Sequence, residues 1–205
     1  MSWPAWWRKQ CVLSGVLTTS LADVYAPYRR FLGYPRELLV YALLRLRLPS
    51  SYRVYLLGYT GGGPKHVPDV GVYLPNSPEP VALLEITGTT YSLSELRLRT
   101  IFVLRDKLEY AALHPRPESC YIVHITDGDL PAKRAFRWID GTVARNYLDC
   151  CSWTGKTRQG VRESFAKVPL KAWKPWPQLI KTILLRSPLP PESIREVYRV
   201  VESKR

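Results

Sequence analysis

The sequence is short of acids, amides and methionine. Its 205 residues include one Met, two Asn and three Gln, and only 17 Asp plus Glu stand against 30 Lys plus Arg. Few thermolabile side chains together with 18 prolines fit a thermophilic source. The four cysteines, Cys11, Cys120, Cys150 and Cys151, contain no Cys-x-x-Cys pair, which argues against a zinc or iron–sulfur site. They read as free thiols of an intracellular protein. No apolar run approaches the ~18–20 residues of a membrane span. Arg8 and Lys9 precede the short apolar run Cys11 to Leu17, but Trp3, Trp6 and Trp7 come before the charges and Thr18, Thr19 and Ser20 cut the run short. That pattern reads against a secretory leader, so the expected location is cytoplasmic, with no membrane partner.

The charge balance is +13, with a pI near 9.8. Such a field attracts polyanions, nucleic acid first. Hydrophobic residues at 46% and charged residues at 23% are those of a folded globular chain. The stretch 1–32 is Trp-rich and then helix-like. Pro35 suits the first turn of a helix that runs to about Leu48. Three strand-like runs follow, Tyr52 to Tyr59, Val67 to Leu74 and Val81 to Thr87, separated by Gly61-Gly62-Gly63-Pro64 and Asn76-Ser77-Pro78-Glu79-Pro80. A helix is expected from Ser92 or Ser94 to about Leu113, a fourth strand over Ser119 to Thr126, and a helix over 131–150. The expected fold is therefore α/β, a mixed four-stranded sheet with an αβββαβ core over 33–151, carrying a basic, Trp-containing C-terminal extension over 152–205. Two short helices are expected in that extension, near 177–186 and 191–203.

Several motifs are incomplete. Gly61-Gly62-Gly63 lacks P-loop spacing, Thr154-Gly155-Lys156-Thr157 lacks the earlier glycine of a Walker A sequence, and no nucleophile elbow is present. His66, His114 and His124 are scattered. The tail tryptophans Trp153, Trp173 and Trp176, interleaved with Lys and Arg, either stack on unpaired bases or pack the tail against the core.

The densest chemical signal is Pro68-Asp69 at the start of the second strand and Glu85-Ile86-Thr87 at the end of the third. Antiparallel neighbours place Asp69 and Glu85 on adjacent strands, where two carboxylates can share a divalent ion. Mg²⁺ wants hard oxygen ligands and keeps several waters, so one or two carboxylates suffice. Glu85 lies within the apolar run Val81-Ala82-Leu83-Leu84, where a lone carboxylate is costly to desolvate.

These residues and the element order resemble the PD-(D/E)xK nuclease superfamily. The layout, a helix with an early Glu, a hairpin, the Asp, the Glu and a long helix, looks most like the archaeal Holliday-junction resolvase branch. The resemblance spans about residues 33–127. It implies a restriction-endonuclease-like fold and a Mg²⁺- or Mn²⁺-dependent DNA endonuclease acting on duplex or branched DNA, working as a homodimer. It implies Asp69, Glu85 and the carbonyl of Ile86 as metal ligands, and Asp69, Glu85, Thr87 and Glu37 as the catalytic set. The family lysine falls at position 87, where this chain has Thr87. Lys107, Arg99, Arg97 and Lys65 are the basic residues that can stand in for it and hold nucleic acid. A helical wheel turns Arg97 and Arg105 nearer the buried face than Lys107. The alternatives are a catalytically inactive nucleic-acid-binding protein on the same fold, or an assembly protein of a virus or mobile element.

Overall fold

The computed structural model describes residues 33–57, 67–75, 77–89, 100–126, 135–150, 153–156 and 162–187. The expected element order from the first helix through the third strand is present. Helix α1 (Gly33–Arg47) leads into β1 (Arg53–Leu56), β2 (Val70–Tyr73) and β3 (Pro80–Thr89), and the three strands form an antiparallel meander. β4 (Thr100–Leu104) and α2 (Arg105–Leu113) then cross to β5 (Cys120–Thr126), which lies parallel to β3. β6 (Ala135–Asp140) and α3 (Gly141–Arg145) follow, then β7 (Trp153–Lys156), β8 (Arg162–Pro169), β9 (Lys174–Pro175) and α4 (Trp176–Arg186).

The main sheet has six strands rather than four, in the order β1-β2-β3-β5-β6-β9. A second sheet, β4-β8-β7, accompanies it. Two departures from the sequence expectation account for this. The 131–150 stretch is not one helix: β6 pairs antiparallel with β5 up to Asp140, and only the five residues of α3 are helical. The Asp140 carboxylate accepts from the Val143 amide and caps that helix. The 92–113 helix is likewise reduced, for Thr100 to Leu104 is a strand paired with β8. Ile101 and Val103 are buried while Phe102 is exposed, a period of two that branched residues favour. The expected helices within 1–32 and near 191–203 lie outside the described residues. None of the described helices is long and apolar enough to cross a membrane.

Alternation along the central strands divides the core into two layers. Ala82, Leu84 and Ile86 of β3 and Tyr121, Val123 and Ile125 of β5 pack under α1 and α4. Leu83, Cys120, Ile122 and Ile139 face the other way, against α2, α3, β4 and β8. Trp173 is buried in that second layer, and Trp176 lies on the first beside Phe136, with ring centroids 5.8 Å apart. Both pack against the core.

Candidate active site

Asp69 sits one residue before β2, and Glu85 lies on β3. In the β2–β3 register Val70 faces Leu84 and Gly71 faces Leu83, so the next pair outward is Asp69 with Glu85. The Ile86 amide donates to Asp69 Oδ2 at 2.6 Å, which ties the loop before β2 to the third strand. Glu85 has the parity of Leu83, so it points away from α1 and towards α2.

Lys107 comes from the first turn of α2. Its Nζ donates to Asp69 Oδ2 at 2.8 Å, to Glu85 Oε2 at 2.6 Å and to the Ile86 carbonyl at 3.0 Å. Three donors on one ammonium thus meet three oxygens from two strands. The side chains of Lys107, Asp69 and Glu85 are 22%, 14% and 9% exposed, so the cluster is shielded but open to solvent on one side. Of the four basic residues singled out, Lys107 is the one the described structure brings to the carboxylates. Lys65, Arg97 and Arg99 lie outside the described residues, as do His66 and the Gly61–Gly63 turn. The wheel reading of Lys107 and Arg105 is reversed. Arg105 pairs with Glu109 one turn along the surface. A wheel ranks residues only against the helix's own apolar face, here Leu108, Ala111 and Ala112, and Lys107 lies on the flank that Asp69 and Glu85 approach from the sheet.

Glu37 reaches the same region from α1. Helix and sheet come close there. A Cβ on Gly88 would lie 2.5 Å from the Ile125 carbonyl oxygen and 2.6 Å from Arg36 Nε, so glycine is what lets the first turns of α1 press on the end of β3. Glu37 is buried, and its Oε2 has no hydrogen-bond partner. Burial, then the negative charges of Asp69 and Glu85 against the opposing charge of Lys107, push its carboxyl up to about 8. Glu85 is raised to about 7, because burial and the Asp69 charge outweigh the Lys107 ammonium. Burial works against the charge on Lys107, but Glu85 and Asp69 more than offset it and its pKa is pushed up. Thr87 follows Glu85 on the same face of β3, paired across to His124 of β5.

The centre therefore holds the Lys107 ammonium against Asp69 and Glu85, with burial favouring the neutral form of Glu37. Its oxygens are hard ligands, and one buried carboxyl oxygen lacks a partner. The Asp69, Glu85 and Ile86 oxygens are of the kind a small divalent cation takes, and in this structure the Lys107 ammonium sits among the same three. Among the described residues, no group of three or more His, Cys, Asp or Glu side chains is gathered as a metal cage.

No family model matches the chain, and no curated protein matches it. Among solved structures the chain is similar to D212, a nuclease from a fusselovirus. The two are 18% identical, and the match covers 86% of this chain and 95% of that one, with a TM-score of 0.43.

Proposed function

We propose that the chain is a metal-dependent DNA endonuclease of the PD-(D/E)xK type whose lysine comes from the crossover helix instead of position 87. The observation that carries this reading is the meeting of Lys107 Nζ with Asp69, Glu85 and the Ile86 carbonyl within 3.0 Å. A helix, an antiparallel meander and a parallel strand reached through a helical crossover support it. The short list of acids supports it too, since a basic protein that binds phosphate has few reasons to bury carboxylates side by side.

Asp69, Glu85 and the Ile86 carbonyl would hold Mg²⁺ or Mn²⁺, which supplies charge for the phosphate transition state and lowers the pKa of water. The Lys107 ammonium offsets the charge that builds on the phosphate oxygens. Asp69 is held by the Ile86 amide, so its second oxygen is pre-oriented. Glu37, neutral at pH 7, donates or accepts at the floor of the centre without adding charge. Thr87 lines the site as a hydroxyl. Two copies, each with one such centre, would address the two strands of duplex or branched DNA.

The test is cleavage of end-labelled duplex, single-stranded and four-way branched DNA with Mg²⁺ or Mn²⁺. Wild type is compared with Asp69→Ala, Glu85→Ala and Lys107→Ala. Metal-dependent cutting by wild type, lost in each variant, is the expected result. Tight binding without cutting in either metal would sink the endonuclease reading in favour of a binding protein. Sedimentation of the free protein and its DNA complex reads the dimer.

A further inference from the structure

The sheet face that carries Glu85 holds a second polar group, whose two unpartnered atoms are donors. Thr87 of β3, His124 of β5 and Arg137 of β6 are successive cross-strand neighbours. The row lies two residues along from Glu85 and its partner Ile122. Trp173 closes over it, its ring edge-on to His124 with centroids 5.7 Å apart. Arg137 Nη1 and Trp173 Nε1 are both buried and neither has a hydrogen-bond partner. Trp173 is only 7% exposed, whereas Arg137 is half-buried and so open to solvent on one side. No ion pair among the described residues involves Arg137.

Two buried donors without acceptors are costly, and the cost is largest where one carries a charge. Burial, with the charges of Arg36 and Arg137, holds His124 down at about 3. The imidazole is therefore neutral and adds no charge of its own. What the group lacks is an acceptor with negative charge and more than one oxygen. A metal ion would meet the Arg137 cation here and is disfavoured. Two strand spacings separate Thr87 from Arg137, about 10 Å, so an anion held here would sit a short way from any phosphate placed at Asp69 and Glu85.

We propose that Arg137 and Trp173, with His124 as their backing, form a phosphodiester-binding subsite that holds a second phosphate of the nucleic-acid strand beside the acidic centre. It rests on the endonuclease reading for its ligand and assigns part of the strand's path. The Arg137 guanidinium takes one or two phosphate oxygens, and the Trp173 indole N–H takes another.

The experiment measures binding of fluorescein-labelled duplex by anisotropy across a salt series, without divalent metal. Each phosphate contact contributes about −0.9 to the slope of log K against log salt. Arg137→Gln is expected to make the slope about one unit shallower and to weaken low-salt binding roughly tenfold. Arg137→Lys should keep the slope, and Trp173→Phe should weaken binding a few-fold with the slope unchanged. In parallel, the ¹⁵N–¹H indole resonance of Trp173, assigned by its loss in Trp173→Phe, is expected to move when wild type is saturated with duplex. This second readout holds even if Arg137→Gln folds poorly. An unchanged slope in folded Arg137→Gln, or an indole that does not move with duplex, overturns the subsite. An indole that moves with inorganic phosphate but not with duplex also overturns it, and marks a free-anion site. Wild-type cleavage with an unchanged slope removes the subsite alone. A shallower slope without cleavage in either metal removes the endonuclease reading and keeps the subsite for a binding protein.

Discussion

Lys107 is the residue on which the candidate centre turns, because among the described residues it is the side chain that meets both the Glu85 and the Asp69 carboxylates. Taking away one partner of a shielded ion pair leaves uncompensated charge. Lys107→Met is expected to lower stability by about 3 kcal/mol at pH 8 in urea unfolding. The loss should shrink towards pH 5, since Glu85, with its midpoint near 7, takes up a proton and no longer needs the ammonium. Glu37 gives a prediction of opposite sign. Its folded pKa of about 8 stands above the ordinary 4.5, so the folded state binds the proton more tightly than the unfolded chain does. The associated stability is fully present below about pH 4.5 and is lost as pH rises through about 8. Glu37→Gln should therefore match wild type near pH 4.5 and be the more stable protein at pH 8, by an amount of a few kcal/mol. Urea midpoints of the two proteins at the two pH values check this. A wild type that is at least as stable as the variant at pH 8 would contradict the burial of an ionising Glu37.

At the scale of elements, the junction of β6 and α3 is the most tightly constrained. A Cβ on Gly141 would collide with the carbonyl oxygens of Ala111, at the end of α2, and of Pro117. These are backbone atoms and cannot swing aside. Gly141→Ala is thus expected to destabilise by about 2–3 kcal/mol, as overpacked cores do, and to loosen the Asp140 cap beside it. Asp140 also lies near the cations Lys174 and Arg186, at 3.9 Å and 3.4 Å, which ties this corner to β9 and α4. Thermal unfolding of Gly141→Ala against wild type reads the effect. A melting temperature within about one degree of wild type would show that α2 and α3 can separate without cost.

For the whole molecule, the proposed function makes the +13 charge the term that would govern affinity for nucleic acid. Duplex binding should fall by about 10³-fold or more between about 50 and about 200 mM salt if six or more phosphates are neutralised. Anisotropy titrations across that range measure it. An affinity that hardly changes with salt would mean that the basic residues are not gathered on a binding surface. The acidic centre is a small interruption in that field, so Asp69→Ala and Glu85→Ala should bind DNA at least as tightly as wild type in the absence of metal while losing cleavage.

Much of this was fixed locally in the chain. Pro35 in the first turn of a helix and the apolar runs of β1, β2, β3 and β5 each depend on neighbours a few residues away, and so they are legible in order. Asp69 and Glu85 were legible for the same reason, since two short connections put their strands side by side. What lay beyond reach depended on distant partners. Thr100 to Leu104 is a strand because β8 pairs with it some sixty residues later, and Ala135 to Asp140 because β5 offers a free edge. In each case the backbone's need for hydrogen bonds is met by another part of the chain. That pairing moved the start of α2 to Arg105, so its buried face is made by Leu108, Ala111 and Ala112 and not by Ile101 or Phe102. The sequence by itself determined that two acids would meet where neighbouring strands of a basic α/β protein pair. Only the tertiary structure decided which cation stands between them, because the flank of a helix that meets a sheet is set by how the two pack, through contacts distant in sequence.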